Sequence, residues 1–159
     1  MLFIGDLLKI RSLTLTVALW LFVVTTGVAQ NANLGSWKLN EAKSKVPAGL
    51  GKNTTVVYEA VGADYKVTTD GVDASGQLAH TEWTGKFDAK PYPVTGDTNV
   101  TYRAYKPKND RLLLLANMKG DKTVSNGKIQ LAKDGKSRTV EMTYFGAKKV
   151  HATYIYDKQ

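Results

Sequence analysis

The sequence of 159 residues contains no cysteine, which excludes a disulfide scaffold, a thiolate zinc site and a cysteine nucleophile. It has only two histidines and no Gly-x-Ser-x-Gly segment, so a serine hydrolase of the nucleophile-elbow type is also excluded. The segment Gly49-Leu50-Gly51-Lys52 is not followed by the apolar helix that a phosphate-binding loop requires. We therefore expect a protein that is not an enzyme and that holds no cofactor and no resident metal.

Basic residues outnumber acidic residues, 22 against 14, which gives a formal net charge of +8. Beyond residue 30 the only arginines are Arg103, Arg111 and Arg138, and the lysines are scattered along the chain. Proteins that bind nucleic acid concentrate arginine and lysine on one face. The charge pattern therefore argues against a nucleic-acid partner and leaves anionic small molecules or an anionic envelope surface as partners.

Residues 13–29 form a run without a charged side chain, and Lys9 and Arg11 precede it. This is the layout of a secretory signal peptide, with Gly27 and Ala29 as small residues at the cleavage site. We predict a hydrophobic signal helix in residues 1–29 and an exported domain, periplasmic or extracellular, in residues 30–159. An uncleaved anchor is the alternative, because the run is close to the roughly 17 residues that cross a bilayer. Before cleavage, the protein would contact the membrane only through the signal segment.

From residue 34 onward apolar and polar residues alternate, and turn residues recur every eight to twelve positions, as in a β-sandwich or β-barrel. The predicted strands are 34–39, 53–60, 64–70, 77–87, 99–106, 110–118, 122–132, 137–145 and 149–156. Such short connections can only join neighbouring antiparallel strands. Closure of the sheet removes both exposed edges. The pattern predicts an all-β fold, a single antiparallel up-and-down barrel of about eight to nine strands.

Two shorter segments interrupt the strand pattern. Asn40 is placed to cap a short helix from Glu41 to Ser44. Pro91 and Pro93 prevent regular strand pairing, so Ala89 to Asp97 is predicted to be a loop at the mouth of the barrel.

The candidate ligand-binding residues share the predicted inner face of the sheet. They are Tyr58, Tyr65, Trp83, Tyr102, Arg138, Met142 and Tyr154. Two interpretations stay open. The aromatic rings can simply fill a small barrel. Alternatively, because burying an unpaired hydroxyl costs roughly 1–3 kcal/mol, several inward tyrosines indicate water or a ligand with polar groups inside.

One group of residues has the composition of a metal or acid–base site, namely His80, Glu82 and His151. His80 and Glu82 share a strand face opposite to Trp83, so the alternation places them toward solvent. We therefore expect an ordinary surface pair, and an enzyme only if His151 converges with them.

Gly35-Ser36-Trp37 resembles the opening Gly-x-Trp of the lipocalins, in which the tryptophan plugs the closed end of the barrel under a late arginine. The resemblance implies that Arg138 is that arginine. Further segments resemble a family of small exported bacterial proteins with lipocalin-like, calycin-type barrels and no established substrate. They are Leu39–Lys45, Glu82–Asp88, Tyr92–Asp97 and Tyr156–Gln159. The chain departs from this family at Ala89, where glycine is usual.

These observations predict an exported protein that holds a small, largely apolar molecule, with or without an acidic group, in a barrel cavity. Arg138 would neutralise the acidic group or close the barrel over Trp37. The alternative is a periplasmic protein-binding module, an inhibitor or envelope-interaction factor with a packed interior. It would bind an envelope protein through the loop Ala89 to Asp97 and the apolar run Leu112 to Leu115.

Overall fold

The computed structural model describes residues 31–159, which form ten antiparallel strands closed into one barrel. The strands are β1 (Gly35–Leu39), β2 (Lys52–Val61), β3 (Asp64–Val72), β4 (Leu78–Gly85), β5 (Tyr92–Thr95), β6 (Tyr102–Asn109), β7 (Leu112–Lys119), β8 (Lys122–Leu131), β9 (Ser137–Tyr144) and β10 (Val150–Lys158). The predicted signal helix lies outside the described residues. Within them, the structure contains no helix of the length and apolar character needed to span a bilayer.

Each strand pairs with its neighbour along the chain, because the connections are too short to reach elsewhere. The barrel closes where β1 lies between β2 and β10, with Trp37 opposite both Val56 and Lys158. The predicted antiparallel barrel is therefore confirmed, and all nine predicted strands are present within a few residues of their expected bounds.

The predicted number of eight to nine strands is wrong, because a tenth strand, β5, lies in the segment expected to be a loop. β5 pairs through only two residues on each side: Trp83 is opposite Val94, for example, and Tyr102 is opposite Pro93. Proline lacks the backbone N–H that residues of a central strand donate to the neighbouring strand, and for this reason the sequence predicted a loop here. A short strand tolerates proline, since few ladder hydrogen bonds are lost, and it fills the gap between β4 and β6.

The short helix predicted after β1 is a single 3-10 turn, Glu41–Lys43. Asn40 caps it as expected, since its side chain accepts a hydrogen bond from the Lys43 N–H at 3.2 Å. The segment is held to the barrel wall through Ser44, whose Oγ accepts a hydrogen bond from the Ile155 N–H.

The two ends of the barrel differ. At the closed end Trp37 is fully buried, and its Nε1 donates a hydrogen bond to the Asn33 carbonyl at 2.9 Å, so the N-terminal turn covers the interior. The opposite end is surrounded by the connections 73–77, 96–101, 120–121 and 145–149, and we call it the mouth. The barrel interior is therefore approached from the mouth.

Candidate functional site

A cavity of about 630 Å³ opens at the mouth and extends into the barrel. Its walls combine polar and apolar side chains, among them Thr81, Val100, Arg103, Asn117, Ser125 and Tyr144. We call it the mouth cavity. Its volume lies within the range of about 300–1,000 Å³ that is usual for small-molecule sites.

A second space of about 80 Å³ lies deeper in the interior and is called the inner chamber. It shares Arg103, Asn117 and Tyr144 with the mouth cavity, so these residues form the neck between the two spaces. Below the neck the chamber reaches Tyr58 and Arg138. The interior thus narrows from a wide opening to a chamber bordered by two guanidinium groups.

Arg103, Asn117 and Ser125 form one row of inward side chains across three strands. The strand register places Asn117 opposite both Arg103 and Ser125. Arg103 Nε donates to Asn117 Oδ1 at 2.7 Å, and Asn117 Nδ2 donates to Ser125 Oγ at 3.0 Å. All three residues are buried. The row therefore fixes the Arg103 side chain through Nε, and the Tyr105 side chain is a further hydrogen-bond neighbour of the guanidinium.

Arg138 lies at the closed end among three aromatic rings. Its Cζ is 4.5 Å from the ring centroid of Trp37, 4.7 Å from that of Tyr58 and 5.2 Å from that of Tyr156. The contact with Trp37 is the one that the Gly-x-Trp resemblance implied. Cation–π attraction stabilises the charge, by about 2 kcal/mol or more where water is excluded. The rings do not satisfy the N–H groups, however, and Nε and Nη1 of Arg138 are buried without a hydrogen-bond partner.

The interior tyrosines are neutral donors and acceptors. Burial raises the pKa of Tyr58, Tyr144, Tyr154 and Tyr156 above the ordinary value of 10.0. Some of the hydroxyls are satisfied by the protein: Tyr154 donates to the Gly51 carbonyl at 3.2 Å and lies 2.9 Å from the Tyr144 hydroxyl. The hydroxyls of Tyr144 and Tyr154 therefore have hydrogen-bond partners within the protein and do not require a ligand.

Most of the seven predicted ligand-binding residues face the interior. Tyr58, Trp83, Arg138, Met142 and Tyr154 are buried there. Tyr65 is half-buried and stacks on Phe87, with ring centroids 4.2 Å apart. Trp83 donates from Nε1 to the Arg103 carbonyl and packs among other rings, so it belongs to the core of the barrel wall.

Tyr102 is the exception, and its predicted position on the inner face is wrong. It is 40% exposed, whereas Arg103 and Tyr105 are buried on the inner side of β6. The prediction began the strand at residue 99, but Asp97 Oδ1 accepts hydrogen bonds from the Asn99 and Val100 N–H groups and holds a turn there. Because the strand starts only at Tyr102, alternation counted from Val100 assigns every side chain of β6 to the wrong face.

The same error hid Arg103 and Tyr105 from the sequence interpretation, which also missed Asn117 on β7 and Ser125 on β8. The turn residues Gly96-Asp97-Thr98-Asn99 were the available signal, since they place the start of β6 later. No local sequence pattern indicates that Arg103, Asn117 and Ser125 form one hydrogen-bonded row.

His80 and Glu82 lie on the outer surface, as the alternation predicted. His80 Nδ1 is 2.6 Å from Asp70 Oδ1, and Glu82 pairs with Lys66 at 2.7 Å. The hydrogen bond that His80 Nδ1 donates to Asp70 Oδ1, together with the negative charges of Asp70 and Glu82, raises the pKa of His80 above 6.5. His151 contacts Thr143 on β9. Within residues 31–159 no group of three or more His, Cys, Asp or Glu side chains is arranged to hold a metal ion.

The four leucines from Leu112 to Leu115 divide between the two faces of β7. Leu113 is buried, Leu115 packs against the core, and Leu112 and Leu114 are half-buried on the outside. Leu114 borders an outer groove of about 520 Å³ together with Ala89, Ala104 and Ala116. The run is therefore not a continuous exposed ridge.

No protein-family model and no curated protein matches this chain.

Proposed function

We propose that this protein is an exported binding protein that holds a small amphipathic molecule in its barrel, without catalysis and without a cofactor. The observation that carries the proposal is the mouth cavity, which leads from solvent to the buried Arg103. A barrel whose interior is filled by side chains would leave no space of this size.

The composition of the walls supports an amphipathic ligand. Val100, Val124 and Phe145 offer apolar surface in the mouth cavity, whereas Arg103 and Asn117 offer polar groups at the neck. Removing apolar ligand surface from water contributes roughly 25 cal/mol per Å². The apolar walls therefore supply affinity, and the polar neck fixes the orientation of the ligand.

The proposal includes a lipocalin-like barrel type and membership of the family of small exported bacterial proteins. The Trp37–Arg138 contact at the closed end supports the resemblance. The signal-like sequence of residues 1–29 supports export to the periplasm or the medium.

A substitution that fills the mouth cavity tests ligand binding. Ala79 precedes Thr81 by two residues on β4, so both side chains face the cavity. Ala79→Trp should reduce the affinity for a fluorescent fatty-acid probe at least tenfold, because the indole occupies the entry. Ala60→Trp, at an exposed position of β2 outside the cavity, is the matched control and should bind as the wild type does.

The measurement is saturable probe fluorescence with purified protein, together with a urea unfolding curve for each variant. Native mass spectrometry of protein isolated from the periplasm would identify a retained ligand directly. The proposal fails if the wild-type protein shows no saturable binding and carries no co-purified molecule. It also fails if Ala79→Trp binds the probe as tightly as Ala60→Trp does.

A protein-binding module is the second candidate, and the outer groove favours it. The groove lies on the outer faces of β6 to β9 and includes small side chains such as Ala104 and Ala116. An aromatic anchor from a partner protein could occupy this space. Ala116→Arg should abolish binding of such a partner and leave the probe affinity unchanged, which separates the two candidates.

A further inference from the structure

Two buried guanidinium groups border the inner chamber, and neither forms an ion pair with the residues that the structure describes. Arg138 is 2% exposed and Arg103 is 9% exposed. Taking a charge out of water without a counter-charge costs several kcal/mol. Arg103 is near the negative charge of Asp97, whereas Arg138 lies among aromatic rings, so Arg138 is the charge that most needs a negative group from the cavity.

The N–H groups of Arg138 show where that negative group would lie. The rings of Trp37, Tyr58 and Tyr156 surround the guanidinium, and Nε and Nη1 are buried with no acceptor. Buried donors in proteins nearly always have a hydrogen-bond partner. An acceptor supplied from the chamber would satisfy them.

Arg103 approaches the same chamber from the neck. Its Nε donates to Asn117, which Ser125 holds in turn, and the Tyr105 side chain lies beside the guanidinium, so a carboxylate in the chamber would share Arg103 with Tyr105. A fixed guanidinium loses little conformational entropy on binding, and its planar nitrogens match the two oxygens of a carboxylate.

The chamber is large enough to admit a carboxylate. Its volume is about 80 Å³, and roughly 10–15 Å³ measured in the same way holds one water molecule. The wider mouth cavity of about 630 Å³ then takes the rest of the molecule.

We propose that the ligand is a carboxylic acid with an apolar chain, that it enters with its carboxylate first, and that Arg103 and Arg138 hold the carboxylate in the inner chamber. This inference rests on the proposed function, of which it specifies the ligand class and the orientation. The apolar chain lies in the mouth cavity, and Tyr58 and Tyr105 border the carboxylate.

The test compares decanoic acid, decanol and methyl decanoate by isothermal titration calorimetry at neutral pH. The wild-type protein should bind the acid about 10- to 100-fold more tightly than the alcohol or the ester, the range that charge-assisted hydrogen bonds provide. Arg103→Met should remove this preference. Arg111→Met, an exposed arginine in the turn between β6 and β7, changes the net charge equally and should preserve the preference.

A second measurement does not depend on the folding of a variant. The carboxyl carbon of ¹³C-labelled decanoic acid, bound to the wild-type protein, is titrated by NMR. Two guanidinium groups should hold the pKa of the bound carboxyl at least one unit below that of the free acid.

The outcomes distinguish this inference from the proposed function. Equal affinity for the acid, the alcohol and the ester overturns the carboxylate site but leaves a ligand-binding barrel. An unshifted pKa of the bound carboxyl also overturns it. Failure of all three compounds to bind removes the support for the carboxylate site and counts against the proposed function itself.

Discussion

Alanine substitutions of Tyr102 and Tyr105 test the orientation of β6, because the two tyrosines lie on opposite faces of the same strand. Tyr105 is 2% exposed, and its ring centroid lies 4.8 Å from that of Trp83, 5.2 Å from that of Phe87 and 6.2 Å from that of Tyr58. Truncating a buried aromatic ring costs about 3–5 kcal/mol. Tyr105→Ala should therefore remove a large part of the roughly 5–15 kcal/mol that stabilises a domain.

Tyr102→Ala should cost only about 1 kcal/mol, because the side chain is 40% exposed on the outside of the barrel. The assay is urea unfolding followed by tryptophan fluorescence, with the free energies of unfolding compared at equal slopes. Tyr105→Phe keeps the ring and serves as the conservative control. If Tyr102→Ala destabilises the protein as much as Tyr105→Ala does, the register of β6 described above is refuted.

Three further predictions concern the turns, the wall and the surface. Ala89 has a φ of +69°, so Ala89→Gly should raise the free energy of unfolding by about 1 kcal/mol, and an unchanged urea midpoint would contradict this. A Cβ at Gly127 would lie 2.6 Å from the Glu141 backbone oxygen as well as against Met142 Sδ, so Gly127→Ala should destabilise the protein by about 1–3 kcal/mol, which a lower melting temperature would reveal. Asp70→Asn should lower the pKa of His80 toward 6.5, measured by NMR titration, while Asp110→Asn, in the exposed turn after β6, should leave it unmoved. Because the pKa of His80 is raised in the folded state, protonated His80 stabilises that state fully below about pH 6.5, and the contribution is lost as the pH rises through the pKa of the folded state. Asp70→Asn should therefore weaken this pH dependence of the free energy of unfolding.

The local pattern of the sequence was sufficient for most strands and for many interior residues. Alternation with a period of two identifies the buried face wherever the first residue of a strand is known, as it does for Tyr58, Trp83 and Met142. The contact between Trp37 and Arg138 could also be expected, because the opening Gly-x-Trp implied a late arginine over the ring.

The alternation did not indicate where β6 begins or that the segment containing Pro93 completes the barrel as β5. A strand start is decided by turn hydrogen bonds such as those to Asp97 Oδ1, and a shift of one residue exchanges the two faces. The short strand β5 is held in place by its pairing with β4 and β6. The local sequence propensity does not indicate this pairing.

The sequence by itself determined a closed all-β fold, since apolar faces and short turns permit few other arrangements. Only the tertiary structure brought Arg103, Asn117 and Ser125 from three strands into one row and placed Arg138 beneath them at the same chamber. The reason is that alternation is a property of each strand alone. The residues that meet across the barrel depend instead on the register between strands, which closure of the whole sheet fixes.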